Sequence, residues 1–303
     1  MAELILHHYE ISPFAEKIRL ALGLKGLTWR SVIVPDVLPK PDYTALTGGY
    51  RRVPALQIGA DIYCDTRLIV SELEHRNPLP TLFPGGEGLH RALETWAESS
   101  LFWPCARAVV GANAEHFPAT FHADRAAMRG RPPPTLEQVR RAGVDAHAGV
   151  RIQIRWVADL LAHGQPFVTG ESPGLADLAI HHALWFLDRF PNRLLTTFAP
   201  DPRVLDWMAR MTALGQGTRR EITPAEALEI ARRSTPAPTR SKVSGFASGA
   251  RVEVFPEERT SSPVTGEIVG GSVDRIVLRS ADPRAGVVHV HFPHLGYVIR
   301  SVT

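Results

Sequence analysis

The sequence predicts a multidomain chain: an α/β amino-terminal domain, an all-α second domain and a small all-β carboxy-terminal module. Three observations predict it. Strand and helix signals alternate over residues 1–75, helical periodicity runs from 89 to about 233, and short strand-like segments follow from about 250. At 303 residues the chain is long enough for two or three domains. The patterns place them at 1–80, 87–235 and 245–303.

In the first segment, "LILHH" is a short apolar strand and "PFAEKIRLALGLKG" a helix with Phe14, Ile18, Ala21 and Leu22 on one face. Gly26 is the stop. "TWRSVIV" is β-branched and strand-like, "VPALQI" and "DIYC" are a hairpin-sized pair, and "TRLIVSELEHR" is a second helix. The order is βαβ, an irregular stretch, then ββα, which predicts one mixed sheet with helices packed on it.

The connector "NPLPTLFPGGEG" leads into five helical stretches, 89–114, 135–163, 175–190, 202–214 and 224–233. Thr223, Pro224 and Glu226 form a capping box with proline at the first helical position. "RGRPPPT" interrupts the run as a loop. "STPAPTRSKVSG" reads as a linker. Beyond it, "ARVEVF", "GEIVGG", "DRIVLRS", "GVVHVHF" and "GYVIRSV" predict about five antiparallel strands. This module resembles a small SH3-like barrel in strand count and length. It is near the lower size limit for independent folding, so it is expected to lean on the helical domain or a protein partner.

Composition excludes several classes. The net charge of +3 is small for the length and gives no electrostatic footprint for nucleic acid or a membrane surface. Cys64 and Cys105 make neither a disulfide framework nor a zinc motif, and a reducing compartment is expected. "MAELILHHYEI" lacks a basic segment followed by a long apolar run, so the expected location is cytoplasmic. His289, His291 and His294 crowd "GVVHVHFPHLGY", and the first two share a strand face. Without an acidic or cysteine ligand at a recognisable spacing, they read as a half-buried strand, and no metal is expected.

Four features stand in a definite order. Ser12-Pro13-Phe14 joins the first strand to the first helix, Val53-Pro54 precedes a strand, Asp65-Thr66 starts a helix, and Asp177 lies in "GLADL" at another helix start. Singly, each has an ordinary explanation. Ser12 and Asp65 suit helix caps, and Val53-Pro54 suits a trans proline before a strand. Ser12 equally suits a reactive group shown at a strand-to-helix turn.

Together, over residues 1–230, they resemble the glutathione transferase superfamily: a thioredoxin-like domain followed by an all-helical one. "SPFAEKIRLAL" is similar to the segment before the first helix of serine-type members. "VPAL" resembles the cis-proline segment that pairs with the glutathione cysteinyl backbone. "DT" takes the place of the acid-plus-hydroxyl pair that grips the γ-glutamyl group, and the step of twelve residues from Val53 to Asp65 fits. One departure is Gly174, where the helix-start motif usually has Ser or Thr.

The resemblance implies an enzyme with glutathione as co-substrate. Ser12 would donate a hydrogen bond to the thiolate, with Tyr9 and His8 as alternative donors. Val53 and Pro54 would present backbone, Asp65 would pair with the γ-glutamyl ammonium, and Thr66 would hold the adjacent carboxylate. Arg51 or Arg52 would take the glycyl carboxylate, or else be solvated loop charges. His8, Tyr9, Phe14, Phe102, Trp103 and Arg107 would line the pocket for a small hydrophobic electrophile. Trp185 suits the core better, and Cys64 is a small buried residue rather than a redox group. The resemblance further implies a homodimer and a detoxification role. The rivals are a non-catalytic binding or scaffolding protein of the same fold, and a glutathione-dependent reductase or isomerase.

Overall fold

The computed structural model describes residues 3–239, 243, 245–258 and 263–302, so residues 240–242 and 244 of the expected linker lie outside it. β1 (Ile5–His8), α1 (Pro13–Leu24) and β2 (Thr28–Ile33) form the first βαβ half. α2 (Pro41–Thr47) occupies the stretch without a periodic signal, being too short to show one. β3 (Ala55–Ile58), β4 (Asp61–Cys64) and α3 (Thr66–Arg76) complete the domain.

The helix expected over 89–114 is α4 (Glu87–Trp96) joined through one π-helical turn, Ala97–Leu101, to α5 (Phe102–Ala112). α6 (Ala119–Ala127) has no counterpart in the sequence reading. α7 (Leu136–Leu160), α8 (Leu175–Phe186), the one-turn α9 (Leu195–Phe198) and α10 (Pro202–Ala213) follow. α5 and α7 cross at Gly111 and Gly143, where a Cβ on Gly111 would stand 2.6 Å from the Gly143 Cα. Only glycine allows that approach. β5 (Thr218–Glu221) and α11 (Pro224–Arg233) close the helical half. Among the described residues, no helix is long and apolar enough to cross a membrane.

β6 (Arg251–Pro256), β7 (Val264–Gly271), β8 (Arg275–Asp282), β9 (Gly286–Pro293) and β10 (Tyr297–Ser301) are the carboxy-terminal strands. Among the described residues the strands form one sheet, ordered β10-β6-β7-β8-β9-β4-β3-β1-β2-β5. Its β4-β3-β1-β2 centre is thioredoxin-like. The carboxy-terminal strands therefore do not stand on the helical domain as a separate body. β9 pairs parallel with β4, in register Asp61 with His289 and Tyr63 with His291. β5 covers the opposite edge by pairing with β2. Both open edges of the central sheet, which would otherwise invite foreign strands, are thus occupied by the same chain.

Side-chain alternation explains the layering. Leu4, Leu6, Leu56, Ile58 and Tyr63 face α1, α3 and the helical domain in one core. Ile5, Ala55, Ile62 and Cys64 face the other way, sharing a second core with α2, α11 and the carboxy-terminal strands. His291 joins the two sheet regions from the side: its Nε2 lies 2.8 Å from Asp61 Oδ1, and its ring stacks on Tyr63 at 4.4 Å. Among the described residues, no group of three or more His, Cys, Asp or Glu is placed to hold a metal ion.

Candidate active site

Three helix starts of the first domain meet one cavity of about 730 Å³, within the size range of small-molecule sites. Ser12 caps α1. It is buried, its extended backbone ends β1's exit, and its Oγ accepts from Ala15 N–H at 3.2 Å. That bond uses an oxygen lone pair, so the hydroxyl proton stays free to donate. Pro13 at the first helical position has no N–H, and Phe14 lies beside it on the cavity wall.

Lys40 precedes α2 and is buried, with Nζ 3.1 Å from the Arg51 carbonyl oxygen and 6.0 Å from the Tyr9 ring. Burial, followed by the neighbouring Arg125, pushes its ammonium down to about 8. Asp65 caps α3 by accepting from Arg67 N–H at 3.0 Å. It is the one non-glycine residue with positive φ (73°) among those described. Its Oδ2 also accepts from the Tyr297 hydroxyl at 3.1 Å. Val53-Pro54, between these starts, is a cis peptide bond.

Behind Thr66 lies a buried charge cluster. Thr66 Oγ1 is 3.4 Å from Glu98 Oε1, and Lys17 donates to both Glu94, at 2.7 Å, and Glu98. Glu98 sits in the π turn, a feature common at functional sites. Burial raises its carboxyl above the usual range, and repulsion from Glu94 and Asp65 adds to this against the pull of Lys17.

The other wall is aromatic. Phe14 and Phe102 meet edge-on at 4.8 Å, as do Phe102 and Trp103 at 5.0 Å. Arg129 lies over Trp103 at 5.0 Å and Arg125 over Phe121 at 4.4 Å. Ser12, Tyr9, Phe14, Arg51, Arg52, Val53, Pro54, Asp65, Thr66, Phe102, Trp103 and Arg107 all line this cavity. Arg51 is paired with Asp124, whereas the buried Arg52 Nη2 has no hydrogen-bond partner among the described residues.

His8 is not on the cavity. Its ring is fully buried between sheet and helix, with Nε2 2.9 Å from Ser31 Oγ and Nδ1 3.0 Å from Arg19 Nη1. Burial, with Arg19 next, drives it down to about 3, so it is a neutral structural ring and does not line the pocket. Trp185 is also absent from the wall, and its ring lies 5.9 Å from the Arg19 guanidinium and 4.8 Å from that of Arg189. Cys64 is buried, and burial raises its thiol well above the usual range. Lys40, Glu98, Phe121 and Tyr297 are wall residues that sequence reasoning missed. The lysine directly before Pro41 was a readable signal for the first. The others are placed by distant chain.

The helix-start motif of the second domain is complete in an unexpected way. Asp177 accepts from Gly174 N–H at 3.1 Å, Val168 N–H at 2.8 Å and Trp207 Nε1–H at 2.9 Å. The place of a Ser or Thr side chain at Gly174 is taken by the His90 ring, whose Nδ1 accepts from Ala176 N–H at 3.1 Å. A Cβ on Gly174 would stand 2.4 Å from His90 Cε1. The departure at Gly174 is therefore a replacement of one cap by another.

Residues 6–81 match the family model described as the glutathione S-transferase amino-terminal domain. Among curated proteins none matches this chain. Among solved structures, a GST-like protein from Pseudomonas syringae is 39% identical, with 100% of both chains covered and a TM-score of 0.76. A glutathione S-transferase from Rhodospirillum rubrum is 22% identical over 69% of this chain and 88% of its own, with a TM-score of 0.53. A beta-etherase from Sphingobium sp. strain SYK-6 is 18% identical over 69% and 95%, with a TM-score of 0.54. Those two share the fold over the first two domains' worth of chain, whereas the Pseudomonas protein is matched along the whole of it. By that full-length relationship, the chain belongs to the glutathione S-transferase superfamily.

Proposed function

We propose that the protein is a glutathione transferase that activates the glutathione thiol for attack on a small electrophile. The observation that carries this reading is the convergence of a free Ser12 hydroxyl proton, the Val53 backbone and the Asp65 carboxylate on one cavity with an aromatic wall. A free thiol has a pKa of about 8.5, and only the thiolate is a strong nucleophile. A hydroxyl donor at the open end of a helix favours the anion, each unit of depression being worth about 1.4 kcal/mol.

In this reading Val53 pairs with the cysteinyl backbone, and Asp65 with the γ-glutamyl ammonium. Thr66 and the α3 start hold the neighbouring carboxylate. Lys40 is better suited than Arg51 to the glycyl carboxylate, because Asp124 already neutralises Arg51. Arg52, with an unpaired buried Nη2, is a second anion donor. The electrophile occupies the Phe14, Phe102 and Trp103 wall, with Arg107 at its rim. The proposed setting is cytoplasmic and homodimeric.

Calorimetric titration with glutathione tests the reading. Saturable binding in the millimolar range or tighter, with the bound thiol titrating below free glutathione, is the expected result. No binding at millimolar glutathione overturns it in favour of a non-catalytic member of the fold.

A further inference from the structure

The carboxy-terminal strands do more than extend the sheet. The turn before β10 and the end of β6 form part of the cavity wall, through Pro256, Gly296 and Tyr297. The turn is well defined: Tyr297 N–H donates to His294 O at 3.3 Å, and Glu257 N–H to Gly296 O at 3.0 Å, with Gly296 at φ +82°. It delivers the Tyr297 ring, buried against Phe292 at 5.8 Å, to the α3 start.

There the Tyr297 hydroxyl lies 3.1 Å from Asp65 Oδ2 and 3.2 Å from the Tyr50 hydroxyl. A carboxylate can only accept, so the Tyr297 proton goes to Asp65 and the Tyr50 proton to Tyr297. Burial, with Tyr50 and Asp65 next, keeps the Tyr297 phenol protonated. The Asp65 carboxylate is thus gripped from both sides, by Arg67 N–H on Oδ1 and by the phenol relay on Oδ2. Its backbone needs such a grip. A non-glycine residue held at a sparsely populated φ persists only where its surroundings over-determine it.

A second observation concerns Arg52. Among the described residues its buried Nη2 has no hydrogen-bond partner, and no ion pair joins it to Asp65. Asp65 and Arg52 both line the cavity, and among the described residues they are not paired with each other. An Asp65 carboxylate that is hydrogen-bonded but not ion-paired suits a ligand ammonium, with Thr66 and the α3 start beside it for the carboxylate on the same carbon.

We propose that Tyr297 is a positioning residue for the γ-glutamyl end of the site, holding the Asp65 carboxylate in place for the ligand's ammonium. This rests on the glutathione reading above and deepens it. The carboxy-terminal module then belongs to the binding site, and the site is incomplete without it.

Calorimetry on the full chain tests this with two ligands, glutathione and its analogue lacking the γ-glutamyl amino group. Tyr297→Phe is expected to weaken glutathione about five- to twentyfold while changing the analogue less than about twofold. The wild type's preference for the amino group therefore shrinks. Equal weakening of both ligands, or of neither, overturns the proposal. Wild type that binds no glutathione overturns the underlying reading instead. If Tyr297→Phe does not fold, hydrogen exchange on wild type decides. By reciprocity, glutathione should protect amides 297–301 more than the analogue does. Equal protection overturns the proposal.

Discussion

Four helix starts in this molecule were built to two standards. α8 begins in the interior, and the Gly174, Leu175 and Ala176 N–H groups at its start each have an acceptor. Asp177 gathers three N–H groups from three parts of the chain, and His90 reaches over from α4 to take a fourth. α1, α2 and α3 begin at the cavity, and each is capped imperfectly. Ser12 accepts one amide but leaves its own proton unused. Lys40 places a cation where the helix dipole is positive, with no side-chain cap at all. Asp65 caps well but at a positive φ. On the proposed function, the difference separates roles: the buried start serves folding, while the cavity starts keep hydrogen-bonding capacity for a ligand.

The largest way to break the comparison is at α1. Ser12→Ala is expected to lower turnover about a hundredfold, as removal of one donor to a developing anion does. The loss of unfolding free energy should be only about 1 kcal/mol, typical of a cap. Steady-state kinetics with a reactive aromatic halide, beside urea denaturation, measures both. A stability loss larger than the catalytic loss would make Ser12 a structural cap like the α8 start.

The next test is at α8. His90→Ala leaves the Ala176 N–H unmet and empties the space behind Gly174, and should cost about 2 kcal/mol in urea denaturation. Gly174→Ser alone should also destabilise, because its Cβ meets the His90 ring. Combined, the two changes should cost less than the sum of the single losses, since the His90 clash is gone and a serine hydroxyl has an amide to cap, leaving Pro84 Cδ at 2.8 Å as the remaining close contact. Purely additive losses would show that His90 does not occupy the cap position. Glutathione affinity should not follow any of these changes.

These helix starts also mark what the sequence discloses. Ser12, Val53-Pro54 and Asp65 were legible because each lies at a local boundary between elements, and their order is itself a signal. The long helices were legible from periodicity, and α1 and α3 from their apolar faces. β5 was not: "TRRE" is mostly exposed and becomes a strand only because β2 offers an edge. His8 shares a strand with His7, and only the packing of Ser31 and Arg19 against it shows that it turns inward. Gly174 looked like a missing cap because its replacement lies in a different helix. Tyr297 is more than two hundred residues from Asp65 in sequence, and nothing local to "GYVIRSV" points to a carboxylate there.

Lys40 offers the smallest effect and the sharpest contrast, because its influence on binding and on folding should run in opposite directions with pH. Its folded-state pKa of about 8 lies below the ordinary value for lysine. Between about 8 and the ordinary value near 10.4, the unfolded chain binds more protons, so stability rises with pH across that window. Binding needs the protonated form, so affinity for a carboxylate ligand should fall as pH rises through about 8. S-Methylglutathione is the suitable probe, having no thiol to titrate. Lys40→Met should weaken it about tenfold near neutral pH, as loss of a charge-assisted bond does. The variant should also remove the wild type's additional pH slope, leaving only the titration of the ligand's own ammonium. Its stability should no longer climb between pH 8 and 10, since the buried charge is gone. A wild-type affinity that stays level through pH 8, with stability climbing as described, would assign Lys40 to the fold alone and move α2 to the same side of the comparison as α8.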